Sequence, residues 1–87
     1  MKSTEQLWDQ KATDWANRSE MMWTSGSRKT IIPFLKSVIT SGNLLDLGCG
    51  DGAACRLLAE AFQVTGLDLS EEMIRIARAK SPALDFV

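Results

Sequence analysis

The chain has 87 residues, 45% of them hydrophobic, and its 10 basic and 11 acidic side chains leave a net charge of −1. That length allows one small domain, and the near-cancellation of charge excludes the basic footprint of a nucleic-acid or anionic-membrane binder. No apolar run approaches the ~20 residues that cross a bilayer, the start Met1-Lys2-Ser3-Thr4-Glu5-Gln6 lacks the apolar stretch of a secretory signal, and a cytoplasmic protein is the default expectation.

Residues from about Glu5 to Trp23 carry helical spacing, with Trp8, Ala12, Trp15 and Met22 on one face. Asp9, Gln10, Lys11, Asp14 and Asn17 lie mostly elsewhere. Tryptophans in such a leader either pack a core or close their amphipathic rings over a flat ligand. Thr24-Ser25-Gly26-Ser27 reads as a turn. Ser27 or Thr30 would cap a second helix, running from about Arg28 to Ile39. There Ile31, Leu35 and Val38 share a face, and Pro33 fits only in the first turn, which puts the start of the regular part near Thr30. Arg28 and Lys29 are solvated charges or ligand contacts. Ser41-Gly42-Asn43 ends the helix.

Leu44 to Leu47 is a short apolar run, the pattern of a parallel strand covered on both faces. It enters Gly48-Cys49-Gly50-Asp51-Gly52, with glycine at every second position. An alanine-rich helix follows, with Ala54, Leu57, Leu58 and Ala61 on one face and an Arg56–Glu60 pair on the other. Cys49 and Cys55 have no zinc spacing and the chain has no histidine, so they read as small, half-buried thiols. Gln63-Val64-Thr65-Gly66-Leu67-Asp68 is the next strand pattern and ends on an acid. Ser70 is an N-cap candidate, with Glu71 and Glu72 in the first turn and Arg75, Arg78 and Lys80 further along. Met73, Ile76 and Ala77 face inward, and Ser81-Pro82 stops the helix. Leu84-Asp85-Phe86-Val87 begins a third strand.

Two helices followed by strand, helix, strand, helix, strand predict an α/β fold with a parallel sheet and right-handed crossovers. The expected architecture is a Rossmann-like, doubly wound sheet of which only the first strands are present, behind an N-terminal helical cap. Residues 1–42 would be the cap and 43–87 the first part of a cofactor-binding domain. A sheet of about three strands covers its two faces poorly. The sequence therefore reads as a fragment, a truncated frame or part of a larger fold, with an exposed sheet edge open to self-association.

The glycine turn is the candidate site. Glycines let the backbone bend and let a ligand approach it, and the helix behind offers unpaired N–H groups and a positive dipole end. Gly48, Gly50 and Ala53 satisfy the loose dinucleotide pattern. Asp68, at the C-terminal end of the next strand, would accept hydrogen bonds from both hydroxyls of a ribose, or serve as a turn residue before Ser70. Leu69 and Met73 would offer adenine an apolar surface, or belong to the core. Asp46 sits inside an apolar strand. There it would repel a pyrophosphate and favour a ligand with an ammonium or sulfonium group, or it would tie down the glycine turn through backbone N–H groups.

The segment Leu45-Asp46-Leu47-Gly48-Cys49-Gly50-Asp51-Gly52, followed by Val64-Thr65-Gly66-Leu67-Asp68-Leu69-Ser70-Glu71-Glu72-Met73, resembles the class I S-adenosylmethionine-dependent methyltransferases. The first part is similar to that family's glycine motif, the second to its acidic second-strand motif with the D-x-S-x-x-M continuation. The resemblance covers about Asn43 to Lys80, and the leader is similar to the helical cap of small-molecule members. It implies methyl transfer from S-adenosylmethionine to a small-molecule acceptor. Gly48, Cys49 and Gly50 would approach the methionine part of the cofactor and Asp46 would help hold it. Asp68 would bind the ribose, and Leu69 and Met73 would line the adenine pocket. Trp15 and Arg28 would cover the cofactor or meet its carboxylate. The family's third and fourth motifs fall beyond residue 87. Such transfer rests on alignment and exclusion of water, and no general base is assigned. The rival readings are an NAD(P)-dependent oxidoreductase and a non-catalytic, self-associating remnant.

Overall fold

The computed structural model describes residues 2–25 and 27–87, with the backbone alone for Ser27 and Arg28. Helix α1 spans Thr4–Thr24. A capping box starts it: the Gln6 N–H donates to Ser3 Oγ at 3.2 Å, and the Ser3 N–H donates to Gln6 Oε1 at 2.9 Å. Of the predicted stripe Ala12 is buried, Trp15 and Met22 are half-buried and Trp8 is exposed; the fully buried face continues from Ala12 through Ala16 and Ser19. Small side chains at i, i+4 and i+7 let the helix approach its neighbour closely, and the larger rings are left at the margin.

A 3₁₀ turn over Ser27–Thr30 leads into α2, Ile31–Val38, so the regular helix begins next to Thr30, as the position of Pro33 predicts. Thr30 occupies the cap position without a side-chain cap bond, and the Ser27 side chain lies outside the described residues. Pro33 falls in the first turn as its missing N–H requires. Ile32 is the buried residue, while Ile31, Phe34 and Val38 are exposed. Of the predicted face Leu35 does pack against the core, beside Ile32, and burial of these two apolar side chains orients the helix; at its edge the Lys36 ammonium donates to Glu60 Oε2 at 3.0 Å.

Strands β1 (Asn43–Leu47), β2 (Gln63–Leu67) and β3 (Asp85–Phe86) form a parallel sheet in the order β1-β2-β3. Helices α3 (Ala53–Leu58) and α4 (Glu71–Lys80) make the crossovers. Both step across the sheet in the same direction, so both lie on one face. The burial pattern shows which: Val64, Gly66 and Phe86 are buried and Leu44 and Asp46 half-buried, while Leu45 and Leu47 are 60% and 69% exposed. Strand β1 is thus covered on one face of the described chain, not two. The Rossmann-like α/β architecture stands, with its first winding on one side. The core joins Cys55, Leu58, Phe62, Val64, Ile74 and Phe86. Ile74 fills the inward place predicted for Ile76, which is half-buried. Among the described residues no helix is long and apolar enough to cross a membrane.

Candidate functional site

The tips of β1 and β2 lie side by side, and the glycine turn folds back over them. The N–H groups of Gly48 and Cys49 donate to the Leu67 carbonyl at 2.7 and 3.0 Å. The Gly50 N–H donates to Asp68 Oδ2 and the Ser70 N–H to Asp68 Oδ1, both at 2.9 Å. The Asp68 carboxylate is therefore fixed by one backbone bond on each oxygen. A carboxylate offers about four lone-pair positions, so one on each oxygen remains for a further donor.

Gly50 has φ +58, and a β-carbon there would come within 2.9 Å of Trp15 Nε1. Only glycine accommodates both the conformation and the approach of the indole. Gly48, with φ +73, would meet nothing within 4 Å. Between them opens a cavity of about 250 Å³ lined by Thr4, Trp8, Trp15, Gly48, Gly50, Asp68 and Leu69. Trp8 and Trp15 meet edge to face in its wall, with ring centroids 5.9 Å apart and planes at 77°, a favoured aromatic geometry.

The structure brings Trp15, Gly48, Gly50, Asp68 and Leu69 together around this cavity. It places the other predicted residues elsewhere. Met73 is 1% exposed and packs inside α4, so it lines no part of the cavity. Cys49 is buried, with its thiol donating to the Gly50 carbonyl at 3.6 Å. Asp46 is half-buried beneath the turn and accepts from the Cys55 thiol at 3.2 Å. It does not tie the turn down: the Gly48, Cys49 and Gly50 amides go to Leu67 and Asp68. Both cysteines are free and buried, not half-buried. Hydrogen bonding with Cys49, burial, and the Asp46 carboxylate together push the Cys55 thiol well above the usual thiol range. The Arg28 side chain lies outside the described residues.

Two acceptors escaped the sequence reading. Asp9 accepts from the Ser70 hydroxyl and from the Glu72 N–H, so α1 is fastened to the start of α4. Ser70 also caps α4 as predicted, accepting from the Met73 N–H at 3.1 Å. Asp51 is buried and accepts from Ser19 and Lys80. Arg56 faces Asp51, not Glu60, which pairs with Lys36. Trp8 and Thr4 also join the cavity wall; the placement of Trp8 one heptad before Trp15 was the available signal.

A parallel α/β sheet carrying a carboxylate at its second strand tip and a glycine turn at its first is a nucleoside-binding arrangement. The chain belongs to the methyltransferase domain family, whose family profile matches residues 44–87. It is 58% identical over 41 residues to a protein of Geobacillus sp. (strain WCH70) named as a methyltransferase, covering 46% of this chain and 17% of that one. It is 44% identical over 50 residues to trans-aconitate 2-methyltransferase of Paracidovorax citrulli, covering 54% and 19% respectively. Among solved structures it resembles S-adenosylmethionine-bound CalS10, an amino pentose methyltransferase from Micromonospora echinaspora. That match has TM-score 0.59 and 30% identity, over 67% of this chain and 25% of that one. The chain spans about a fifth of the length of the curated relatives it matches.

Proposed function

We propose that residues 43–87 are the first part of an S-adenosylmethionine-binding domain, that residues 1–42 cap it, and that the whole protein methylates a small-molecule acceptor. The observation that carries the reading is the Asp68 carboxylate, oriented by Gly50 and Ser70 and left with one free lone-pair position per oxygen. A vicinal diol brings two donors and fits that vacancy. Leu69, exposed at the cavity rim, supplies an apolar shelf for an adenine ring. Trp8 and Trp15 supply aromatic faces that attract a cation, and Asp46 adds negative charge below the turn. The turn amides already have internal acceptors, so the loop presents no row of free N–H groups to a pyrophosphate; this argues against a dinucleotide.

The cavity is smaller than the ~300–1,000 Å³ of complete ligand sites, so it holds part of such a ligand. The cofactor supplies a methyl group already activated on sulfur. The chain's own residues bind the ribose, cover one face of the nucleoside and exclude water. The relatives that methylate trans-aconitate and an amino pentose support a small acceptor. Thermal denaturation of the full chain with S-adenosylhomocysteine and, separately, with NAD tests the proposal. At a hundredfold excess over Kd the homocysteine ligand should stabilise by about 2.7 kcal/mol. Stabilisation by NAD alone would overturn it.

A further inference from the structure

Among the described residues Asp51 is the one charged side chain that is fully buried, at 1% exposure. It lines no part of the cavity. Its carboxylate accepts from Ser19 Oγ on α1 at 2.5 Å and from Lys80 Nζ on α4 at 3.1 Å, and faces the Arg56 guanidinium on α3 at 3.6 Å. Lys80 Nζ also donates to the Ala16 carbonyl of α1 at 3.3 Å. Arg56 donates to the Asp51 carbonyl at 2.9 Å and to Ser81 Oγ at 3.3 Å. One carboxylate thus joins the glycine turn to three helices. A buried charge is tolerated only when it is bonded in this way, and losing a partner leaves it exposed to the full desolvation penalty.

The location matters as much as the bonding. Asp51 follows Gly50, the residue against which the Trp15 indole rests. Ser19 lies one helical turn after Trp15 on α1, so the Ser19–Asp51 bond sits directly behind that ring. Asp9 fastens α1 on the other side of the cavity, to Ser70 and Glu72. We propose that Asp51 is a positioning residue: it clamps α1 onto the glycine turn, keeps Trp15 seated on Gly50, and so sets how long a ligand stays in the cavity. The ligand half of this statement rests on the adenosyl reading above; the clamp itself does not.

The three tryptophans of the sequence, Trp8, Trp15 and Trp23, all lie on α1. Intrinsic fluorescence of the chain therefore reports on that helix. Asp51→Asn keeps the shape and an acceptor for Ser19 but removes the charge facing Lys80 and Arg56. In the full chain, without ligand and with helical circular dichroism retained, its emission should shift to the red and acrylamide quenching should rise. Dissociation of S-adenosylhomocysteine should become about tenfold faster, with association little changed. A residue that merely stabilised the fold would lower the melting temperature and leave the folded-state emission alone. Ser19→Ala removes the bond from the α1 side only; it should give the same shift to a smaller degree, and it decides the matter if Asp51→Asn does not fold. Unchanged emission and quenching in the folded variants would overturn the clamp. Altered emission with unchanged dissociation would overturn its role in residence time. Altered emission in a protein whose wild type binds no S-adenosylhomocysteine would uphold the clamp and overturn the cofactor reading.

Discussion

Asp68 does two jobs with one carboxylate. Its bonds from the Gly50 and Ser70 N–H groups hold the turn against the start of α4, and what remains is aimed at the cavity. Asp68→Ala should weaken S-adenosylhomocysteine binding more than tenfold, about 1.4 kcal/mol or more. Titration calorimetry of the full chain measures this, and unchanged affinity would mean that the ribose lies elsewhere. Cys55 makes a pH prediction. Its folded thiol is raised through Cys49, burial and Asp46, whereas an unfolded thiol ionises near pH ~8.5. Above that pH the unfolded state loses a proton that the folded state keeps. Stability is therefore full below about pH 8.5 and falls above it, by up to ~1.4 kcal/mol per pH unit. Urea unfolding at several alkaline pH values should show this slope, and Cys55→Ser, which does not titrate there, should lessen it. An identical slope in the variant would remove Cys55 as the cause. The Ser70 cap of α4 and the Ser70–Asp68 turn were legible in the sequence because those bonds span two or three positions; the Gly50–Asp68 bond, 18 positions apart, was not. Asp9 was not, since its partner Ser70 lies 61 positions away; nor was Asp51, whose partners sit on three different helices.

The elements were legible where a glycine, a cap or a strict period marked them. The β1–turn–α3 unit and the Ser70 cap of α4 follow from local chemistry, and their order dictates the parallel sheet. Helix faces were harder. Helix α1 offered a large aromatic stripe, but its small residues Ala12, Ala16 and Ser19 are the ones that allow close packing on α4. Helix α2 is apolar on more than one side, so spacing alone did not decide between Ile31 and Ile32; the structure buries Ile32 in the core with Leu35 beside it. Gly66 in the middle of β2 had no explanation from sequence. In the structure a β-carbon there would come 2.6 Å from the Phe86 ring and 2.9 Å from Cys49 Sγ. A glycine inside a strand often marks such an approach. Gly66→Ala forces a buried ring and a buried thiol to move, and should cost about 1–3 kcal/mol. Denaturant unfolding reads this directly; a neutral or stabilising result would mean that Phe86 packs more loosely than the structure shows.

At the scale of the molecule the sheet has two unlike faces. One is sealed by α3 and α4 over Val64, Gly66 and Phe86; the other presents Leu45 and Leu47. The apolar run of β1 was read as covered on both sides, because sequence records what a strand is suited to and not which neighbours lie within 87 residues. The same asymmetry makes the two faces separable by experiment. Leu58, at 4% exposure, is the last residue of α3 and packs into the core, so Leu58→Ala removes a filled volume and should cost about 2–5 kcal/mol, by the general magnitude for buried leucines. Leu45→Ser in the 87-residue chain removes an exposed side chain and should stay within about 0.5 kcal/mol of the parent. An environment-sensitive dye such as anilinonaphthalene sulfonate adds a second readout, since contiguous exposed apolar surface binds it. Leu45→Ser together with Leu47→Ser should lower dye fluorescence of the native chain, and Leu58→Ala should leave it unchanged until unfolding begins. If Leu45→Ser cost as much as Leu58→Ala, the outer face would have to be covered in solution by something this chain supplies itself, and the one-sided sheet would be wrong.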